Sequence, residues 1–322
     1  MSNIYATTHG TVIGKSGGLI VVKNKDGSMT KFPSQSVETL NILANVQVTH
    51  DAIMEVLHNN GRIFYFDKDG NLVGTLGNNK GNSRILVRQL KCYINEEKRL
   101  QLAKYFVQNK IAEQRKLLVD KNRRSKNIDV IKDISKLETL RSKIDVCEDV
   151  EEVMGIEGAA SSLYFSNFGF LLGKSEFEWN GRIKRPAIDP VNSMLSFGYY
   201  LLEKDVLRAV NLAGLTGTIG YLHSLDYRKE SLVFDIMEKF RPSVDRFVLK
   251  CIGLKRFHLQ DFGSKSGKCY LNSESIKRFI AYYEEYVGFY DEELPTSIRM
   301  EIVNEAKSLV KRLRELTKEI EA

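Results

Sequence analysis

The chain has 322 residues, 43% of them hydrophobic and 28% charged, the composition of a soluble globular protein large enough for two domains. Its 48 basic residues outnumber 41 acidic ones, giving +7, a charge that permits an anionic partner without demanding one. No run of about 18 apolar residues is present for a membrane span, and the start MSNIYATTHG lacks the basic and apolar regions of a signal peptide, so the chain is expected in the cytoplasm. Cys92, Cys147, Cys251 and Cys269 form no CxxC pair and no regular spacing, which argues for reduced thiols over a zinc cluster or a disulfide framework.

Residues 1–83 alternate short apolar runs with turn signals. In TVIGKSGGLIVVKNKDGSMTKF the stretch KDGS reads as a hairpin turn, and a second Asp-Gly turn recurs in RIFYFDKDGNLVGTL. This pattern predicts a small β-sandwich-like domain with one short helix around Thr49 to Asn59. The Gly- and Asn-rich segment GNNKGNS, 77–83, marks the boundary. From Arg84 the period changes: Leu100, Leu102, Ala103, Phe106, Val107 and Ile111 fall at helical spacing, and the same pattern persists to the closing EIVNEAKSLVKRLRELTKEIEA. Residues 84–322 are therefore expected to form an all-α domain, making the fold class α+β. Between Lys98 and Lys126 ten basic residues stand against two acids, Glu113 and Asp120, which suits a pair of basic helices facing either solvent or phosphates.

Three elements of the helical part carry candidate chemistry. GIEGAASSLYF places Glu157 between small residues, at or near a helix start where Gly155 and Gly158 allow close approach of a ligand or another backbone. IGYLHSL sets His223 among apolar residues. In SLVFDIMEKFRP, Asp235, Glu238 and Arg241 recur every third residue, so a helix stacks them on one face and brings the two acids together. Histidine with carboxylates is a donor set that manganese accepts. The same residues also fit a core histidine, an acid on a helix dipole and a solvated ion pair. RIKRPAIDPVNSMLSFGYYLL adds Arg182, Lys184 and Arg185 before a helix bearing Asn192, Tyr199 and Tyr200, all suitable phosphate donors at a helix entrance.

Taken with the β-rich opening, the entry helices RQLKCYINEEKRLQLAKYFVQNKIAEQRKLL and the late KCYLNSESIKRFIAYYEEY, these motifs resemble one family nearly end to end: the CRISPR-associated spacer-acquisition integrases, the "Cas one" adaptation proteins. The resemblance implies a metal-dependent DNA endonuclease and integrase that inserts short foreign DNA into a CRISPR array by transesterification. It implies that Glu157, His223 and Glu238 hold a divalent metal, Mn2+ or Mg2+, with Asp235 supporting the site. His223 must be neutral to ligate, so activity is expected to fall in acid. Arg182, Arg185, Arg241, Arg123 and Arg124 are expected to meet DNA phosphates, double-stranded or branched. The family further implies a homodimer paired through the β-rich domain and a small ferredoxin-like partner protein. Two departures remove no ligand but bear on local loop shape and DNA preference: AGLTGTIGYLH where the family commonly has Asp-Pro before the histidine, and Arg185, Pro186, Ala187 where it often has a double proline. A DNA-binding scaffold without chemistry and a stand-alone nuclease are the competing readings.

Overall fold

Runs of β-branched and aromatic residues between turn signals give the first part of the chain its strands: β1 (Ser2–Ala6), β2 (Val12–Ser16), β3 (Leu19–Lys23), β4 (Met29–Pro33), β5 (Val37–Ile42), β6 (Gln47–Val48), β7 (Arg62–Phe66) and β8 (Leu72–Leu76). The computed structural model describes residues 2–66, 72–77, 82–183, 186–226, 229–290 and 296–318. The chain divides into two compact units, Met1–Lys80 and Gly81–Ala322. In the first, two four-stranded sheets run in the orders β1-β5-β7-β8 and β4-β3-β2-β6. The KDGS turn closes the β3/β4 hairpin as expected: Asn24 donates its N–H to Ser28 O at 2.9 Å, and Gly27 supplies a φ of +84°. The expected Asp-Gly turn between β7 and β8 lies outside the described residues. Parallel pairing of β1 with β5 and of β5 with β7 requires crossovers, and helix α1 (His50–His58) lies on one of them. Thr49 caps this helix by accepting the Ala52 N–H. Ile13 and Ile20 from one sheet, Ile4, Leu40 and Ile63 from the other, and Ala52 and Val56 of the helix share one core, so the unit is sandwich-like.

The second unit is built from α2 (Ser83–Ile94), α3 (Glu96–Ser125), α4 (Ile128–Lys143), α5 (Val150–Ser166), α6 (Phe168–Leu172), α7 (Pro190–Leu212), α8 (Ser231–Gly253), α9 (Ser273–Gly288) and α10 (Ile298–Leu316). The basic stretch is one helix rather than the expected pair, because no Gly or Pro interrupts it between Glu96 and Ser125. Helix α8 packs against both α3 and α7 and is buried on most of its faces, consistent with its apolar sequence. Its interior Pro242 has no N–H, which leaves the Glu238 carbonyl without its i+4 donor inside the helix. One feature departs from an all-α unit. Strands β9 (Phe262–Lys265) and β10 (Lys268–Leu271) form a hairpin whose two turn residues, Ser266 and Gly267, both have positive φ. The Cys269 N–H of this hairpin donates to Ala187 O, fixing the segment where the family's double proline is absent. Among the described residues no helix is long and apolar enough to cross a membrane.

Candidate active-site cleft

Glu157 lies in the middle of α5, not at its start. The helix begins upstream because Asp149 caps it, accepting the Glu152 N–H at 2.8 Å while the Glu152 carboxylate accepts the Glu148 N–H. The dipole explanation for Glu157 therefore lapses, since that field acts on the first turn alone. Gly155 and Gly158 face open space, so within this chain they hold no backbone close; they keep the surface beside Glu157 clear. Glu157 Oε1 accepts the Ser161 hydroxyl at 2.8 Å and meets the Lys110 ammonium reaching over from α3.

Helix α8 gives its two acids different tasks. Asp235 is fully buried and turns toward the segment carrying His223, accepting the backbone N–H groups of Tyr221 (2.5 Å), Leu222 (3.1 Å) and His223 (3.0 Å). Its Oδ1 also lies 2.8 Å from His223 Nδ1, which fixes the ring and leaves Nε2 as the nitrogen available for a ligand. The same segment is held from α2 and α3: Gln89 receives the Thr216 N–H at 2.8 Å and donates to its carbonyl at 3.0 Å, and Arg99 Nε donates to Tyr221 O at 3.1 Å. Gly220 is required here by proximity, since a Cβ would stand 2.7 Å from Ser231 Cβ and 2.8 Å from its backbone carbon.

Glu238, one turn further along, is 4% exposed and lies between two cations. Arg241 Nε donates to Oε1 at 2.8 Å, and Lys110 Nζ stands 2.5 Å from Oε2. Burial alone would push this carboxyl up; Arg241 and Lys110 more than reverse it and hold Glu238 well below the usual carboxylate range. Even so, Oε2 accepts no hydrogen bond of regular geometry among the described residues.

Glu157, His223, Glu238, Arg182 and Arg241 line one cleft of about 720 Å³ together with Trp179, Tyr199 and Asp245; Asp235 is not among the lining residues and holds His223 through its backbone N–H and ring. The two glutamates converge on the Lys110 ammonium. No group of three His, Cys, Asp or Glu side chains among the described residues is gathered closely enough to hold a metal as the side chains stand. Arg182 is largely turned inward, donating to Asn192 Oδ1 (2.7 Å), Ile183 O (2.8 Å) and Ser196 Oγ (3.1 Å), with Nε unpartnered among the described residues. Asn192, expected as a phosphate donor, is instead fully buried and ties Gly181, Ile183 and the cap residue Asp189 together. Tyr199 likewise spends its hydroxyl on Asp245, which Tyr164 also reaches at 2.9 Å. Arg123 and Arg124 are exposed in the last turn of α3, apart from the residues lining the cleft. Lys184 and Arg185 lie outside the described residues.

Lys110, which meets both glutamates, and Asp245, which lines the same cleft, are neighbours of the candidate residues that sequence reasoning missed. Lys110 was legible in principle: it follows Phe106 and Val107 at helical spacing and so lies on the buried stripe, where a lysine needs an acidic partner.

Comparison with known proteins places this cleft in context. Residues 4–285 match the family model described as "CRISPR associated protein Cas1". The chain is 33% identical over 282 residues to the CRISPR-associated endonuclease Cas1 1 of Thermodesulfovibrio yellowstonii, a match covering 86% of this chain and 87% of that one. Its fold is similar to TM1797, a CAS1 protein from Thermotoga maritima, with a TM-score of 0.84 and 27% identity over 97% of each chain. A casposase bound to its integration product shares the fold at a TM-score of 0.83 and 23% identity, covering 98% of this chain and 92% of that one.

Proposed function

Because the chain belongs to the Cas1 family of CRISPR-associated proteins, we propose that it is a metal-dependent DNA endonuclease and integrase acting in spacer acquisition. The observation that carries this reading is the meeting of Glu157 and Glu238, from different helices, at one cation position in a cleft that His223 also lines. The donor set fits a divalent ion. Two carboxylates and an imidazole suit Mn2+ or Mg2+ with manganese favoured by the nitrogen, and the buried Oε2 of Glu238 is an oxygen lacking a proper donor. Glu157, Glu238 and His223 would hold the ion, with Asp235 fixing the imidazole through Nδ1. Bound there, a divalent cation would supply Lewis-acid polarisation of the scissile phosphate.

The chain's own residues supply the remainder. Arg241 and the unpartnered Nε of Arg182 give the cleft positive charge for a phosphodiester and for the charge that grows on it during displacement. The exposed Arg123 and Arg124 add positive charge for phosphates further along the duplex. The first unit is assigned to homodimer formation, and a small ferredoxin-like partner would set the spacing between two active sites.

Strand transfer into supercoiled repeat DNA, assayed with and without Mn2+, tests the proposal. Wild-type protein should give joined product in Mn2+ alone, and Glu238→Ala should give none while binding DNA as well as wild type or better. A folded Glu238→Ala protein that still integrates at the wild-type rate would remove the site assignment. Nicks without joining would reduce the activity to that of a nuclease.

A further inference from the structure

Lys110 stands where the proposed cation belongs. It is 6% exposed, comes from a helix that contributes no expected metal ligand, and touches both glutamates that would bind the ion. Two carboxylates facing one buried point repel each other and need a cation between them. Here the ammonium meets that need, and with Arg241 on the other oxygen of Glu238 the cluster of two acids and two bases is formally neutral. An ion pair serving stability alone would be expected to satisfy its oxygens by regular hydrogen bonds. Glu238 Oε2 instead has a close cation and no well-directed donor among the described residues. A divalent ion and an ammonium cannot both occupy the space between these oxygens, because both need contact with the same lone pairs.

Resting on the metal reading above, we propose that Lys110 is the resident counter-ion of the Glu157 and Glu238 pair and that a divalent metal enters by displacing it. Metal affinity of the DNA-free protein is thereby held down, since the incoming ion gains only the difference between its own interaction and that of the ammonium. The long lysine side chain can swing toward the open part of the cleft, where a DNA phosphate would receive it.

The test is Mn2+ binding to DNA-free protein, followed by the loss of the free-ion electron paramagnetic resonance signal, with thermal melts in parallel. Lys110→Met keeps the unbranched apolar stem, ending one atom short of Nζ, and removes the charge. It should bind Mn2+ about tenfold more tightly or better, a change equal to about 1.4 kcal/mol, and Mn2+ should raise its Tm more than that of wild type. Lys110→Met/Glu238→Gln should lose the gain. Unchanged or weaker Mn2+ affinity in Lys110→Met, with wild-type binding still abolished by Glu238→Gln, overturns the role of Lys110 and leaves the metal site standing. A gain that survives Glu238→Gln overturns the ligand assignment and this proposal with it. Where Lys110→Met yields no folded protein without metal, Lys110→Gln takes its place; absence of Mn2+-dependent stabilisation in both variants counts against the proposal.

Discussion

At the scale of single residues, spacing alone set Asp235 and Glu238 side by side, yet their surroundings separate them. Asp235 faces three backbone N–H groups and an imidazole nitrogen, whereas Glu238 faces an ammonium and a guanidinium. The i,i+3 rule places both on one helix face; what each meets depends on a loop and a helix distant in sequence, which periodicity cannot report. A third acid of the same helix, Asp245, responds differently again. Burial raises its carboxyl, opposed by the Tyr199 and Tyr164 hydroxyls and by Arg182 and Arg241, and the net result lies at about 6 against an ordinary 3.8. The folded state therefore keeps this proton through a pH range in which the unfolded chain has lost it. Stability from this group is present below the ordinary carboxylate range and is lost as pH rises toward 6, with the full cost remaining above that. Asp245→Asn can retain bonds to both tyrosines without the charge, so it should be more stable than wild type by about 1–3 kcal/mol at neutral pH. That advantage should vanish near pH 4. Urea unfolding at the two pH values reads it directly, and an equal advantage at both would assign the effect to packing instead of ionisation.

At the scale of elements, α3 shows how a run counted as one basic surface divides once it is wound. Arg99 braces the His223 segment, Lys104 donates to the Asp145 carbonyl, Lys110 enters the cleft and Arg115 pairs with Glu138. At its end Arg123 and Arg124 remain exposed, with Asp120 3.4 Å from Arg123. Helix existence was legible from the recurrence of Leu102, Phe106 and Val107, but the division of labour among the bases was not, because it depends on which face each occupies against α5, α8 and the loop. The mid-helix place of Glu157 could have been read from Asp149 and Glu152, whose spacing is a start signal upstream of Gly155 and Gly158. The KSGK turn of the β9/β10 hairpin likewise stood in the sequence and was overshadowed by the helical pattern around it. Since Arg123 and Arg124 sit in the last turn and pack little, replacing both with Ala should change stability by no more than about 0.5 kcal/mol. DNA binding should weaken by similar factors for unrelated sequences, and the slope of log affinity against log salt should fall by roughly the number of phosphates the two side chains neutralise. Fluorescence anisotropy titrations at several salt concentrations measure both quantities; an unchanged slope would make these two arginines an ordinary solvated helix end.

At the scale of the whole molecule, the two-part organisation follows from a change of hydrophobic period, but strand order does not. Alternation announces strands without naming partners, and the parallel β1/β5 and β5/β7 pairs join residues brought together only by crossovers. That order decides which edges are open, and so where the proposed homodimer can form. The sheets end at β1 and β8 and at β4 and β6. β4, MTKFP, carries Lys31 and Pro33, residues that guard an edge against pairing, and β6 has two residues. β8, LVGTL, carries no charge and no proline, and exposes Val73 (71%) and Leu76 (40%). β1, SNIYA, is also uncharged, but its side chains are buried or half-buried, whereas β8 exposes apolar side chains, a template for a second strand, so β8 is the edge expected to meet its counterpart in a second copy. Val73→Lys adds a charge there without touching the core, and should shift the protein from twice its 36.8 kDa chain mass toward the monomer in sedimentation equilibrium. Met29→Lys, an equally surface-directed change on β4, should leave the dimer intact. Dissociation by Met29→Lys instead would move the interface to the other sheet, and a dimer indifferent to both substitutions would place it away from either edge.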